Sequence, residues 1–264
     1  MDADGKWPVY GKDGTYLGDD GRTEKGKDLA FVGEIDEKGG FINLKQFTAS
    51  HTQFQISANI VRKEGTTNEA KEYLWIAHAA NNAAEASNKT LYKKLMSGYS
   101  SVPKKQKVAL SITNNTDNAK AARAGVIDVL SGGADPTNGA QFWDGTDFLA
   151  WGLKSPNGTP QNKFEEYSHI FIDVMIFNDF EKAQKERWGS SVKYGKKRYD
   201  IPAAVFDITK NPKNWSSFQE SQTGTTFGFN YDTGSSGNVL SATGTAGESV
   251  FWRVDKKKTE KKNH

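Results

Sequence analysis

The chain has 264 residues, enough to bury a core without staples, and its 7 Trp, 9 Tyr and 15 Phe exclude a solvated, disordered chain. It has no cysteine, which excludes disulfides, thiolate zinc sites and cysteine nucleophiles. The formal charge is +3, but five lysines and Glu260 give the tail after Asp255 a charge of +4, so the body carries −1 and lacks the basic footprint of a nucleic-acid binder.

No stretch reaches the roughly 18 apolar residues of a membrane span, and the N-terminal segment holds no basic-then-apolar secretory signal. Residues 7–35 read as β-structure. Asp13-Gly14 between short apolar runs is a hairpin signal, and Asp19-Asp20-Gly21 reads as a second turn. Asp36 to Gly40 is a polar break. Residues 47–62 carry a mixed apolar pattern best fitted by a helix. Gly65 can end that helix, and Thr67 or Asn68 can cap the next.

Residues 69–84 give the clearest helix, with a stripe of Tyr73, Ile76, Ala77, Ala80, Ala83 and Ala84 whose alanines permit close helix approach. Further helices are expected over 91–97 and 118–130, the latter stopped by Gly132-Gly133. Residues 131–163 are rich in turn residues, and so long an irregular stretch often carries function. A buried apolar run over 169–177, a short helix over 180–188, and strands over 205–208, 225–231 and 250–254 complete the chain.

Four histidines, His51, His78, His169 and His264, show no ligand spacing, and His78 reads as a packed residue. Neither a metal nor an organic cofactor is implied. No Gly-x-Ser-x-Gly elbow and no phosphate loop with its lysine is present. Glu64 stands at a helix-to-loop junction with an apolar flank, the setting that raises a carboxyl pKa and allows it to act as a general acid on a glycosidic oxygen. Taken alone, the same residue also reads as a solvated glutamate beside Arg62 and Lys63.

Two blocks resolve that choice. Residues 58–65 (ANIVRKEG) with the Ala-rich helix ending at Asn82, and Asp135-Pro136-Thr137-Asn138-Gly139-Ala140 before Phe142-Trp143, resemble the spore-cortex-lytic type of cell-wall hydrolase domain. The resemblance spans roughly 54–145. It implies a lysozyme-like helical core within an α+β protein, peptidoglycan glycan strands as substrate, and Glu64 as the catalytic acid. It also implies a sugar-binding wall from Asp135, Thr137, Asn138, Phe142 and Trp143. The chain departs from the family pattern at Asn68, where a second glutamate is usual, and at Asn82-Ala83, where Asn-Arg is usual.

Asn82 lies about 21 Å beyond Asn68 along a helix, so it reads as structural. The remaining carboxylates have local explanations. Asp135 and Asp144 sit at turns and Glu69 in a first helical turn, while Asp147 has no feature that singles it out. A single-acid, lytic-transglycosylase mechanism is therefore favoured over a hydrolytic muramidase. Trp151 reads as packing. The N-terminal Asp-Gly turns and residues 247–252 more loosely resemble sequences flanking lysozyme-type toxins delivered by contact-dependent (type VI) secretion.

That likeness fits export without a signal peptide to the periplasm or cell wall, and leaves open whether an immunity protein is a partner. The rival reading is a non-catalytic cell-wall or carbohydrate-binding protein. The expected organisation is an N-terminal hairpin segment (1–42), a catalytic core (43–188), a β-rich part packed on it (189–254) and a disordered basic tail (255–264).

Overall fold

The structure, a computed structural model, describes residues 6–23, 26–65, 69–99, 102–145 and 238–256 without a break, together with short stretches between 153 and 232. The fold is α+β. The chain divides into two compact units, Met1–Thr137 and Asn138–His264, whereas the sequence reading drew its bounds at 42, 188 and 254.

The first unit begins with a four-stranded sheet in the order β2-β1-β3-β4. Its strands are β1 (Lys6–Tyr10), β2 (Tyr16–Thr23), β3 (Phe31–Ile35) and β4 (Phe41–Gln46). The β1–β2 hairpin turns at Asp13-Gly14, as expected. The Asp13 carboxylate accepts the Thr15 N–H at 3.0 Å and the Thr15 hydroxyl at 2.7 Å, and Gly14 takes φ +79°.

The turn expected at Asp19–Gly21 is not a chain reversal. Strand β2 runs through it with a bulge, because the register slips between Lys6↔Thr23 and Pro8↔Asp19 and the Asp20 carboxylate holds the Arg22 N–H locally. Strand β3 pairs with β1 in parallel and with β4 antiparallel. Strand β4 follows the expected break at 36–40 and occupies residues for which the sequence suggested no strand. Asn43 at φ +55° interrupts its alternation, which hides a strand from a period-two search.

The helix expected over 47–62 is α1 (His51–Glu64), begun four residues later at the cap Ser50, whose hydroxyl accepts the Gln53 N–H. Phe47 precedes the helix and packs its ring, tilted, against Phe54 at 4.8 Å, and Tyr10 meets Phe54 edge-on at 5.0 Å. Helix α2 (Ala70–Glu85) buries every residue of the predicted stripe. Its N-cap is Glu69; Thr67 and Asn68, the expected caps, lie outside the described residues.

Helices α3 (Leu91–Ser97) and α4 (Asp117–Leu130) match expectation, and α4 ends in Gly132 at φ +80° with the Gly133 N–H on the Asp128 carbonyl. Helices α2 and α4 approach closely at Gly125, where a Cβ would lie 2.8 Å from the Tyr73 carbonyl oxygen.

Arg123 ties this unit together. It is fully buried on α4 and donates to the carbonyls of Gly14, Ser111, Ile112 and Asn114 and to the side chains of Gln55 and Asn115, at 2.8–3.4 Å. Gln55 in turn donates to the Tyr10 hydroxyl, which meets His51 Nε2 at 2.8 Å.

The second unit is β-rich. Its main sheet has the order β11-β12-β8-β13-β14-β5. The strands are β5 (Phe142–Asp144), β6 (Leu153–Lys154), β7 (Pro160–Gln161), β8 (His169–Asp173), β9 (Ser191–Tyr194), β10 (Lys197–Asp200), β11 (Ser217–Glu220), β12 (Phe227–Asp232), β13 (Asn238–Ala246) and β14 (Ser249–Lys256). Strands β6–β7 and β9–β10 form separate two-stranded ribbons. Strand β14 runs into the expected tail, with Asp255 paired to Arg253 at 2.8 Å. Residues 257–264 and the strand expected over 205–208 lie outside the described residues.

Two outcomes follow. Arg123→Met leaves several buried carbonyls without donors and should lower unfolding free energy in urea by about 3 kcal/mol or more. The second concerns Asp28. Burial pulls its carboxyl up, but hydrogen bonds from Thr52 and Ser50 and the nearby His51 outweigh this and hold it below the ordinary carboxylate value. A lowered carboxylate stabilises the fold above its unfolded pKa and loses that contribution as pH falls through the folded one. Asp28→Asn should therefore melt lower than the parent at neutral pH in thermal scans, with the gap closing as pH falls below the ordinary carboxylate range.

Candidate functional site

Glu64 is the last residue of α1, and its side chain is half-buried. The following Gly65 is required sterically: its Cα lies so close to the Tyr73 ring that a Cβ would stand 2.3 Å from Cε1. Two titratable groups from the chain beyond α3 feel the Glu64 charge. Burial, reinforced by Glu64, pushes the Tyr99 phenol well above its ordinary value. Burial pulls the Lys107 ammonium down, and Glu64 acts against that shift.

Lys107 is buried because its Nζ donates to the carbonyls of Leu95, Met96 and Gly98, the open end of α3. Tyr99 holds φ +54°, a left-handed backbone that is strained for a bulky residue. The segment carrying Lys107 is fixed to α1 by buried Asn59, which donates to the Gln106 carbonyl at 3.3 Å and the Val108 carbonyl at 2.9 Å. The Glu64 carboxyl is thus within electrostatic reach of a phenol and an ammonium.

A second cluster forms near the end of α2. Asn82 Nδ2 donates to Asp135 Oδ2 at 3.0 Å and to Thr137 Oγ1 at 3.2 Å. Asp135 Oδ1 accepts the Thr137 N–H at 2.8 Å and its hydroxyl at 2.6 Å. Asp135 is thus the turn cap its local sequence suggested, Thr137 is fully buried, and Asn82 is structural. His78, buried, places Nε2 2.8 Å from Asp128 Oδ2 and Nδ1 3.9 Å from Asp135 Oδ1. Among the described residues, no group of three His, Asp or Glu side chains could hold a metal ion.

The two clusters do not meet. Glu64 lies beside Tyr73 near the start of α2 and Asp135 beside Asn82 near its end, and those nine residues of helix span about 13 Å. The other predicted wall residues belong to the second unit. Asn138 takes φ +54°, and its carbonyl accepts from Arg253 at 3.2 Å. Phe142 and Trp143 are neighbours on β5, where successive side chains point to opposite faces. Phe142 is exposed, while Trp143 is half-buried with its ring 6.4 Å from Phe251. One sugar face therefore cannot stack on both.

Sequence reasoning missed Tyr99, Lys107, Asp128 and Arg123. Only Arg123 leaves a signal, as a cation on the apolar face of α4 four residues after Ala119 and three before Val126. Comparison with protein-family models, with curated proteins and with solved structures finds no match to this chain. No helix among the described residues is long and apolar enough to cross a membrane.

Thr137→Val removes the hydroxyl shared by Asp135 and Asn82. It should cost about 1–3 kcal/mol of unfolding free energy, as expected for orphaned buried partners. Thr137→Ser, assayed alongside in the same denaturant titration, should retain most of it.

Proposed function

We propose that this protein cleaves the glycan strands of peptidoglycan, with a lysozyme-like helical core in its first unit and Glu64 as general acid and then base. The observation that carries the reading is the placement of Glu64. It is half-buried at the end of α1, within electrostatic reach of a buried ammonium and a buried phenol, on the residue that the sequence resemblance singles out. Its proton passes to the glycosidic oxygen as the bond from that oxygen to the sugar C1 breaks. Lys107, within electrostatic reach, stabilises the carboxylate form of Glu64 that proton transfer leaves behind.

In the transglycosylase route the muramic C6 hydroxyl oxygen then bonds to C1, and its proton returns to Glu64. This closes an anhydro ring without consuming water. Asp135 is committed to its turn, Asp144 is buried on β5, and Glu69 stands at the start of α2, while Asp147 lies outside the described residues; the reading therefore rests on Glu64 alone as acid and base.

Purified cell wall supplies the test. The parent protein should clear it, and Glu64→Gln should fold normally yet clear it at least about a hundredfold more slowly. Mass spectrometry of the products should show anhydro ends. Incorporated solvent oxygen would replace the mechanism with a hydrolytic one. A folded parent that clears nothing would leave the carbohydrate-binding reading in its place.

A further inference from the structure

Away from Glu64, the first unit contains a cleft of about 780 Å³, a volume usual for small-ligand sites. Its walls are β3 and β4, the start of α2, and α4 with the glycines that end it. It stays open because the two helices contribute small residues to it, Ala70 from α2 and Ala121, Ala124 and Gly125 from α4. Val32, Leu74 and Ile127 make part of the lining apolar. Three ammonium groups, those of Lys12, Lys45 and Lys71, and two carboxylates, those of Glu34 and Asp128, border it.

Asp128 is the pre-set member. The buried His78 holds its Oδ2 at 2.8 Å from behind, and its carboxylate is still about half exposed. The Gly133 backbone lies against the same carboxylate, so closely that a Cβ there would stand 2.0 Å from Oδ2. Lys45 is steadied by the Ser131 carbonyl at 3.0 Å, and Lys71 lies 4.9 Å over the Trp75 ring. Lys12 has no ion pair among the described residues.

A ligand matching this lining carries carboxylates for the lysines, an ammonium for Asp128 and short apolar side chains for the floor. We propose that the cleft binds a zwitterionic peptide, and, resting on the glycan-cleaving reading above, that this peptide is the stem attached to the glycan strand. Asp128 receives the ammonium of the stem's diamino acid, and Lys12 and Lys45 receive its carboxylates. His78 is a positioning residue that fixes Asp128.

The probe is the free synthetic stem tetrapeptide L-Ala-γ-D-Glu-L-Lys-D-Ala, titrated calorimetrically into the full-length protein. Saturable binding is expected. Asp128→Asn, which keeps an acceptor for His78, should weaken it at least about tenfold, the scale of one charge-assisted hydrogen bond. The surface changes Lys12→Gln and Lys45→Gln, which leave the core untouched, should each weaken it several-fold. Glu64→Gln should bind like the parent.

An absence of saturable binding to the parent overturns the proposal, as does unchanged binding in the folded Asp128→Asn and lysine variants. The two readings fail separately. Stem binding by a protein that clears no wall upholds the cleft and removes the glycan cleavage, whereas clearing without stem binding removes the cleft alone.

Discussion

A buried guanidinium without a carboxylate sets the terms for the first unit. Arg123 has no ion-pair partner among the described residues, so its charge is offset by six neutral acceptors and by the Tyr10 ring, 5.6 Å from the guanidinium carbon. Those acceptors come from the β1–β2 turn, α1 and the segment before α4. Each must be in place for the cation to be tolerated away from water. The demand reaches further through Gln55 to Tyr10 and His51, so the sheet, both helices and a loop share one polar network. Gly14 shows how tight the assembly is, since a Cβ there would stand 2.0 Å from the Lys120 carbonyl oxygen. A network of this kind fixes one arrangement of elements more than it adds stability.

The close approach of α2 and α4 at Gly125 has a second consequence. Helix α2 becomes a partition. Tyr73 lies on the side that meets Gly65 and the end of α1, whereas Lys71, Leu74 and His78, spaced three and four apart, lie on the side of the cleft and Asp128. Two residues of helix separate Lys71 from Tyr73, a rotation of about 200°. The carboxyl of Glu64, at the end of α1, and the carboxylate of Asp128, on α4, therefore lie beside different faces of α2, although both depend on its position.

Much of this was legible in the chain. The α2 stripe follows a period that core burial enforces, and all six of its residues are buried. The Asp13-Gly14 hairpin and the glycines ending α4 follow from backbone stereochemistry, which acts locally. Less legible were features made by contact at a distance. Strand β4 carries a left-handed asparagine in its middle, and the bulge at Asp19–Gly21 borrows turn residues without turning. Lys107 looked like any surface lysine, since its burial depends on the carbonyls of a helix end twelve and fewer residues away. Asp128 gains its character from His78, fifty residues distant, and no local pattern encodes that pairing. The predicted wall of Asp135 to Trp143 treated adjacent residues as one surface, whereas the backbone distributes them between a capped turn and the two faces of a strand.

The partition by α2 has a chemical meaning under the proposed function. Peptidoglycan is a glycan with peptides branching from it, so a protein that cuts the glycan also meets the stem. A helix with its side chains is about 10 Å across, and an extended peptide covers about 3.3–3.6 Å per residue. A stem leaving a sugar near Glu64 therefore needs about three residues to pass the helix and reach the cleft. The third residue of such a stem is the diamino acid, whose ammonium would arrive where His78 holds Asp128 in readiness. In that arrangement the cleft would read the peptide while Glu64 acts on the sugar, and the rigid α2–α4 contact at Gly125 would set the distance between them.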